Sequence, residues 1–187
     1  GPLEGVSVLR VPAGRTRLAR SLMHRLATDE YWLWQRKAYS LALRHVKDYD
    51  VIQSRSQHPA SHYAGAKLAK LTGKPWVAHL SDPLVGNGLC ATAPRIEVLL
   101  RKLEHLIMHR ANRVVFTCER AARQALQRHP DVGAGKVRVL PHAMPPSDIT
   151  GSIAGSHPGP YLLSAGNLYG ARSPVAFIKA ISTLPDI

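Results

Sequence analysis

Two short polar runs carry the side chains best suited to chemistry: Ser54-Arg-Ser-Gln-His58-Pro59 and Ser81-Asp82-Pro83. A carboxylate such as Asp82 can accept a hydrogen bond from a substrate hydroxyl and orient it. Ser81 and His58 can donate and accept around the same ligand. Each also has an ordinary reading: Asp82-Pro83 equally suits a turn cap, and His58 a loop position. His58 and His62 stand four residues apart, as do His105 and His109. That is one helical turn, at which two imidazoles can share a metal. No third ligand of the His-Glu-x-x-His kind accompanies either pair, so no metal is expected.

What positions the two polar runs is a strand, a helix and a strand. Asp50-Val-Ile-Gln53 reads as a short strand opening into the first run. From Ala60 a small-residue helix with Ala64, Ala66, Leu68, Ala69 and Leu71 reaches the stop signal Gly73-Lys-Pro75. Trp76-Val-Ala-His-Leu80 is the second strand, closed by Ser81-Asp82-Pro83. A strand, crossover helix and strand form a right-handed parallel unit, which places ligands at the carboxyl ends of its strands. Both polar runs fall at those ends.

The remaining elements extend the same pattern. Gly5 to Pro12 reads as a strand followed by a turn at Ala13-Gly14. Leu18, Leu22 and Leu26, with arginines between them, predict an amphipathic basic helix over 15–28. A helix starting at Thr28-Asp29-Glu30 carries Trp32, Trp34, Tyr39, Leu41, Leu43 and Val46 and ends at Lys47-Asp48. After a loop at Gly86-Asn87-Gly88, Pro94 begins a long helix with Ile96, Leu99, Leu100, Leu103, Leu106, Ile107 and Ala111 toward the core. Asn112 to Thr117 and Lys136 to Leu140 read as two more parallel strands, with a helix from Glu119 to His129 between them. The fold class is α/β, a Rossmann-like parallel sheet with helices on both faces.

Residues 1–144 thus make one domain, its first four residues resembling a cloning scar. Residues 145–160, rich in Pro, Gly, Ser and Ala, read as a linker. Residues 161–187 supply a strand from Tyr161 and a helix from Ser173 to Leu184, too little for a second core.

Lys and Arg number 25 against 12 Asp and Glu, a net charge of +13 that attracts polyanions. The charge is spread: Arg15, Arg17, Arg20 and Arg25 in one cluster, and Arg95, Arg101, Lys102 and Arg110 in another. Spread charge suits a solvated surface. A 45% hydrophobic content fits a globular chain, and no apolar run reaches the length of a membrane span. Cys90 and Cys118 make no CxxC and no disulfide framework, which favours the reducing cytoplasm.

The ordered segments resemble the family-4-like glycosyltransferases of the GT-B fold. The matching pieces are Asp50-Val-Ile-Gln-Ser54, Pro75 to Pro83, Glu104 to Thr117 with its Ala111-Asn-Arg-Val-Val115, Val139-Leu-Pro-His-Ala143, and Gly166-Asn-Leu-Tyr-Gly-Ala-Arg172-Ser-Pro174. Such enzymes pair an acceptor-binding Rossmann-like domain with a donor-binding one. The resemblance implies a retaining, hexosyltransferase-type enzyme of cell-envelope or polysaccharide biosynthesis. It would use a UDP- or GDP-sugar donor and a glycan or lipid-linked acceptor, with no cofactor. Asp82 would orient the acceptor, His58 and Ser81 would touch it, and Gly166 and Arg172 would meet the donor diphosphate, Arg172 standing just ahead of a helix start at Ser173-Pro174. Trp32 and Trp34 suit the core or an interface, with sugar stacking as the alternative.

The chain departs from the pattern in three places. By the resemblance, the family's opening strand and Gly-Gly loop would precede Gly1, many members have a His before the acidic residue where Ser81 stands, and the donor-side Lys and paired glutamates would follow Ile187. No transferase activity is therefore expected of these residues alone. Many relatives act on lipid-linked acceptors, so the basic 15–26 segment is expected to suit peripheral docking at the inner face of the cell membrane. Two other functions compete: a basic nucleic-acid-binding α/β module, and a non-catalytic interaction domain that kept the fold. No aromatic-basic interleaving, zinc-finger spacing or helix-turn-helix supports the first of these, and no nucleic acid is expected as partner.

Overall fold

A computed structural model describes residues 6–12, 32–55, 58–87, 93–143 and 173–183. Helix α1 (Trp32–His45) runs into a single 3-10 turn, Val46–Asp48. Then follow β1 (Ile52–Arg55), α2 (Pro59–Thr72), β2 (Trp76–Leu80), α3 (Pro94–Arg110), β3 (Arg113–Phe116), α4 (Glu119–Arg128), β4 (Val137–Val139) and α5 (Val175–Ile181). The chain divides into two compact units, one made of residues up to Gly86 with Ala93–Pro141, the other holding Asn87 and the residues from His142 onward. In the second unit the expected 173–184 helix is shorter, Val175–Ile181, and mostly exposed. The expected 15–28 helix, the 145–160 linker and the strand from Tyr161 lie outside the described residues.

The first unit is an α/β sandwich around a sheet with strand order β1-β2-β3-β4, every pair parallel. This is the Rossmann-like arrangement expected from the alternation of apolar runs and helical spacing. Central strands of such sheets are covered on both faces and read as continuous apolar runs. β2 obeys this: Trp76, Ala78, His79 and Leu80 are buried. Its register aligns Ile52 with Trp76 on one side and Val77 with Arg113 on the other. Phe116 of β3 sits opposite Val139 of β4.

Helix boundaries follow local chemistry. α2 and α3 both open with proline, whose missing N–H costs nothing in the first turn. Gly73 ends α2 in the left-handed region at φ 70°, its N–H returning to the Ala69 carbonyl at 2.9 Å. β1 starts at Ile52 rather than at Asp50, because pairing begins where the Ile52 N–H reaches the Pro75 carbonyl at 2.9 Å. Asp50 and Val51 stay exposed before it. Residues 6–12 correct an expectation: they form no strand. Val6, Val8 and Leu9 are more than half exposed, and Trp34 Nε1 donates to the Val11 carbonyl at 3.1 Å. The segment lies against α1 through that bond instead of pairing with the sheet.

Two clusters built on buried polar groups tie the layers. Ser54 Oγ of β1 accepts from Trp76 Nε1 of β2 at 2.8 Å and lies 2.9 Å from His62 Nδ1 of α2. Indole can only donate, so the Ser54 hydroxyl proton is left for His62. Gly65 allows this approach: a β-carbon there would stand 2.9 Å from Ser54 Cβ and 3.0 Å from Trp76 Nε1. Farther along, Glu104 of α3 is 1% exposed, although the helical pattern marks only apolar neighbours as core. Arg128 holds it with two charged bonds of 2.8 Å, and His129 Nε2 lies 3.2 Å away. Met108 is likewise fully buried, whereas Ile96, Leu99, Leu100 and Leu106 are only half-buried.

Gly65→Ala is expected to destabilise the first unit by about 1–3 kcal/mol through overpacking. Ser54→Ala should cost a similar ~1–3 kcal/mol by leaving a buried indole N–H without its acceptor. Glu104→Ala should cost about 3 kcal/mol, the lower end for a broken buried ion pair because Arg128 retains access to water. Urea midpoints followed by far-ultraviolet circular dichroism check all three. Midpoints unchanged from the parent chain would refute this account of the core.

Candidate functional site

The loops at the carboxyl ends of the strands are held by backbone carbonyls. Thr117 Oγ1, just after β3, donates to the Ser81 carbonyl at 2.7 Å. Leu140, just after β4, donates its N–H to the Phe116 carbonyl at 2.8 Å. Leu84 and Val85 are buried and anchor the far side of the Ser81–Pro83 turn. Asp82 is exposed on top of that turn, and Ser81 is half-buried. His58 is exposed at the N-cap of α2, its carbonyl accepting from the Ser61 N–H and hydroxyl at 3.3 and 3.2 Å. Asp82, Ser81 and His58 therefore share one edge of one sheet, at the ends of adjacent strands. Gly166 and Arg172 lie outside the described residues.

A groove of about 270 Å³ reaches this edge between α1, β1 and α2. Arg55 and Ser61 stand at its upper end, with Trp34 and Tyr39 along its wall. Trp34 is half-buried here, so it serves packing and presents ring surface at once. Lys67 Nζ lies 4.2 Å above the Tyr39 ring. The arrangement can hold a polar ligand by hydrogen bonds from exposed side chains on a stiff backbone frame. Arg95, Arg101, Lys102 and Arg110 are exposed along α3, as a solvated basic face requires. Among the described residues, no helix is long and apolar enough to cross a membrane.

The two histidine pairs part company. His62 is fully buried and committed to Ser54, while His58 is exposed. His105 and His109 instead meet a third ring that spacing alone does not reveal, His129, from the residue after α4. Donor atoms of the three lie within 4.8 Å of one another. His109 Nε2 lies 2.8 Å from Asp131 Oδ2, and Nδ1 lies 2.7 Å from the His105 carbonyl. The Asp131 carboxylate, then the His105 carbonyl, raise the His109 pKa, and the same hydrogen bond lowers that of Asp131. The signal for His129 was topological: in a parallel sheet, α3 and α4 both end at the amino edge.

No curated protein matches this chain. One solved structure that resembles it is the crystal structure of Anabaena Alr3699/HepE in complex with UDP-glucose, at 20% identity and a TM-score of 0.43. The likeness covers 62% of this chain and 30% of that one, so this chain spans about a third of that protein's length. A family model described as a glycosyl transferase 4-like domain matches residues 2–143, well over half of the sequence. The sheet, its polar carboxyl edge and that match agree with one another, and the chain belongs to the glycosyl transferase 4-like domain family.

Proposed function

We propose that this chain is the acceptor-side part of a glycosyltransferase. In this reading a UDP- or GDP-sugar donates a hexose, with retention, to a glycan or lipid-linked acceptor in cell-envelope or polysaccharide assembly. The observation that carries it is the family match across residues 2–143, which spans every element of the described sheet. The geometry supports the roles. Asp82, exposed on a turn that buried Leu84 and Val85 hold, accepts a hydrogen bond from the acceptor hydroxyl and orients it. His58 and Ser81 flank it on the same sheet edge and contact the acceptor. Gly166 and Arg172 take the donor diphosphate, where a guanidinium offers paired donors to phosphate oxygens. Neither a cofactor nor a metal takes part in the transfer. The protein works in the cytoplasm, and the basic 15–26 segment docks it on an anionic membrane face.

Ligand-observed NMR with UDP, GDP and their sugars, with and without a short glycan or polyprenyl-phosphate acceptor, tests this reading. Nucleotide binding is expected to disappear in Arg172→Ala. Acceptor binding is expected to weaken about tenfold in Asp82→Asn, the size of one lost charged hydrogen bond. Silence toward every nucleotide and acceptor, with salt-dependent binding to random DNA, would replace the transferase with a nucleic-acid module. For the membrane, co-sedimentation with anionic vesicles at low salt is expected, and its failure would remove the docking step alone.

A further inference from the structure

We propose that His105, His109 and His129 bind one divalent transition-metal ion at the amino edge of the sheet, clamping the end of α3 to the end of α4. The site lies opposite the polar carboxyl edge and takes no part in sugar transfer. Three imidazoles bring their donor atoms within 4.8 Å of one another, from one helix turn and from a second element 20 residues farther on. Ligands of a tetrahedral zinc ion stand about 3.3 Å apart when each bond is about 2.0 Å. Small rotations of side chains that already reach solvent close the remaining distance. His105 is exposed, and His109 and His129 have side chains 27% and 11% exposed.

The surroundings favour a cation over three unliganded rings. His109 Nδ1 faces the His105 carbonyl, which fixes the ring and turns Nε2 outward, as backbone carbonyls do for metal-binding histidines. Asp131 Oδ2 stands 2.8 Å from that Nε2, close to the spacing of two neighbouring ligands on one ion, and supplies a fourth, oxygen donor. Glu104 faces His129 Nε2 at 3.2 Å, the carboxylate–imidazole contact that leaves Nδ1 as the donor. The two helices end here, so their carbonyl ends add negative potential. Against this stands Lys136, whose ammonium is bonded to the His109 carbonyl at 2.9 Å. Asp131 is placed to offset that charge.

Neutral nitrogens with one carboxylate suit Zn²⁺, Co²⁺, Ni²⁺ or Cu²⁺ and are poor ligands for Mg²⁺ or Ca²⁺. A groove of about 750 Å³ along α3, lined in part by His105 and His109, gives the ion a path from solvent. The role is structural: an ion here joins the crossover helix before β3 to the one after it.

The test uses the full 187-residue chain, stripped of metal with a chelator and titrated with Zn²⁺ alone by calorimetry. Co²⁺ serves as the spectroscopic probe. One ion per chain, a raised melting temperature and the visible absorption of tetrahedral Co²⁺ are expected. His105→Ala removes an exposed ring and leaves the core intact. It is expected to weaken Zn²⁺ binding at least about tenfold, as is His129→Gln. Mg²⁺ should leave the melting temperature unchanged. No heat and no melting shift with micromolar Zn²⁺ would overturn the site. So would Zn²⁺ binding of equal strength in a His105→Ala/His129→Gln double variant whose circular dichroism matches the parent.

Discussion

The hydroxyl of Ser54 is the point on which the described sheet turns. It sits at the meeting of three elements, taking the indole proton of Trp76 from β2 and facing the imidazole of His62 from α2. All three groups are buried, so none can exchange its partner for water. A satisfied hydrogen bond contributes about 1 kcal/mol net, but an orphaned buried donor costs about 1–3 kcal/mol, and the asymmetry makes the arrangement specific. Only the register that aligns Ile52 with Trp76 brings these groups together. Gly65 supplies the room, because any side chain there would meet Ser54 and Trp76. Fixing α2 in this way fixes His58 at its N-cap, and fixing β2 places Ser81 and Asp82 beside it. The geometry of the candidate site is thus set by buried groups in the strands and helix that lead to it.

The opposite edge is organised by charge. Glu104 and Asp131 are two of only 12 acidic residues in a chain with 25 basic ones, and both are turned toward histidines and arginine at the ends of α3 and α4. Glu104 satisfies both oxygens on Arg128 while the carboxylate is sealed from water. A buried carboxylate persists only with such compensation. Among the described residues Glu104 is the one buried carboxylate, whereas Asp131 and the arginines of α3 are exposed. The two edges therefore differ in kind: one presents loops held by backbone carbonyls, the other a network of titratable side chains.

How much of this could be read from residues alone depends on whether the cause was local. β2 is legible residue for residue because a two-faced apolar run between Pro75 and Ser81 has one plausible conformation. α2 is legible because Pro59 and Gly73 punctuate it. The first residues misled because Val6, Val8 and Leu9 have strand composition, and composition does not say whether a neighbouring strand edge accepts them. Glu104 was missed for the opposite reason: helical periodicity ranks a glutamate as surface, and its partner Arg128 is 24 residues away. His129 was missed on the same ground. The candidate site was legible as a place, since Ser81, Asp82 and His58 fall at strand ends. Their roles were not, because a role needs a ligand, and the phosphate-side residues Gly166 and Arg172 lie outside the described elements.

The physics of the carboxyl edge also explains why a site can be placed there without its chemistry being settled there. The Leu140–Phe116 bond joins main-chain atoms alone, and the Ser81 loop is held by its own carbonyl, which accepts from the Thr117 hydroxyl, so neither bond uses the side chain of Ser81 or Asp82. Asp82 can be exchanged with little cost to the fold, because it is exposed and the neighbouring buried anchors are Leu84 and Val85. A scaffold that separates support from contact in this way lets one fold serve many acceptors. Under the proposed function, acceptor choice then resides in exposed loop side chains and in the groove walled by Trp34 and Tyr39. The demanding step, stabilising a departing diphosphate, needs concentrated positive charge, which preorganised guanidinium and amide donors supply. The carboxyl edge of the first unit presents Arg55 at the end of β1 and, after β2, an aspartate and a half-buried serine. In the proposed division of labour this edge orients the acceptor, and the diphosphate falls to Gly166 and Arg172.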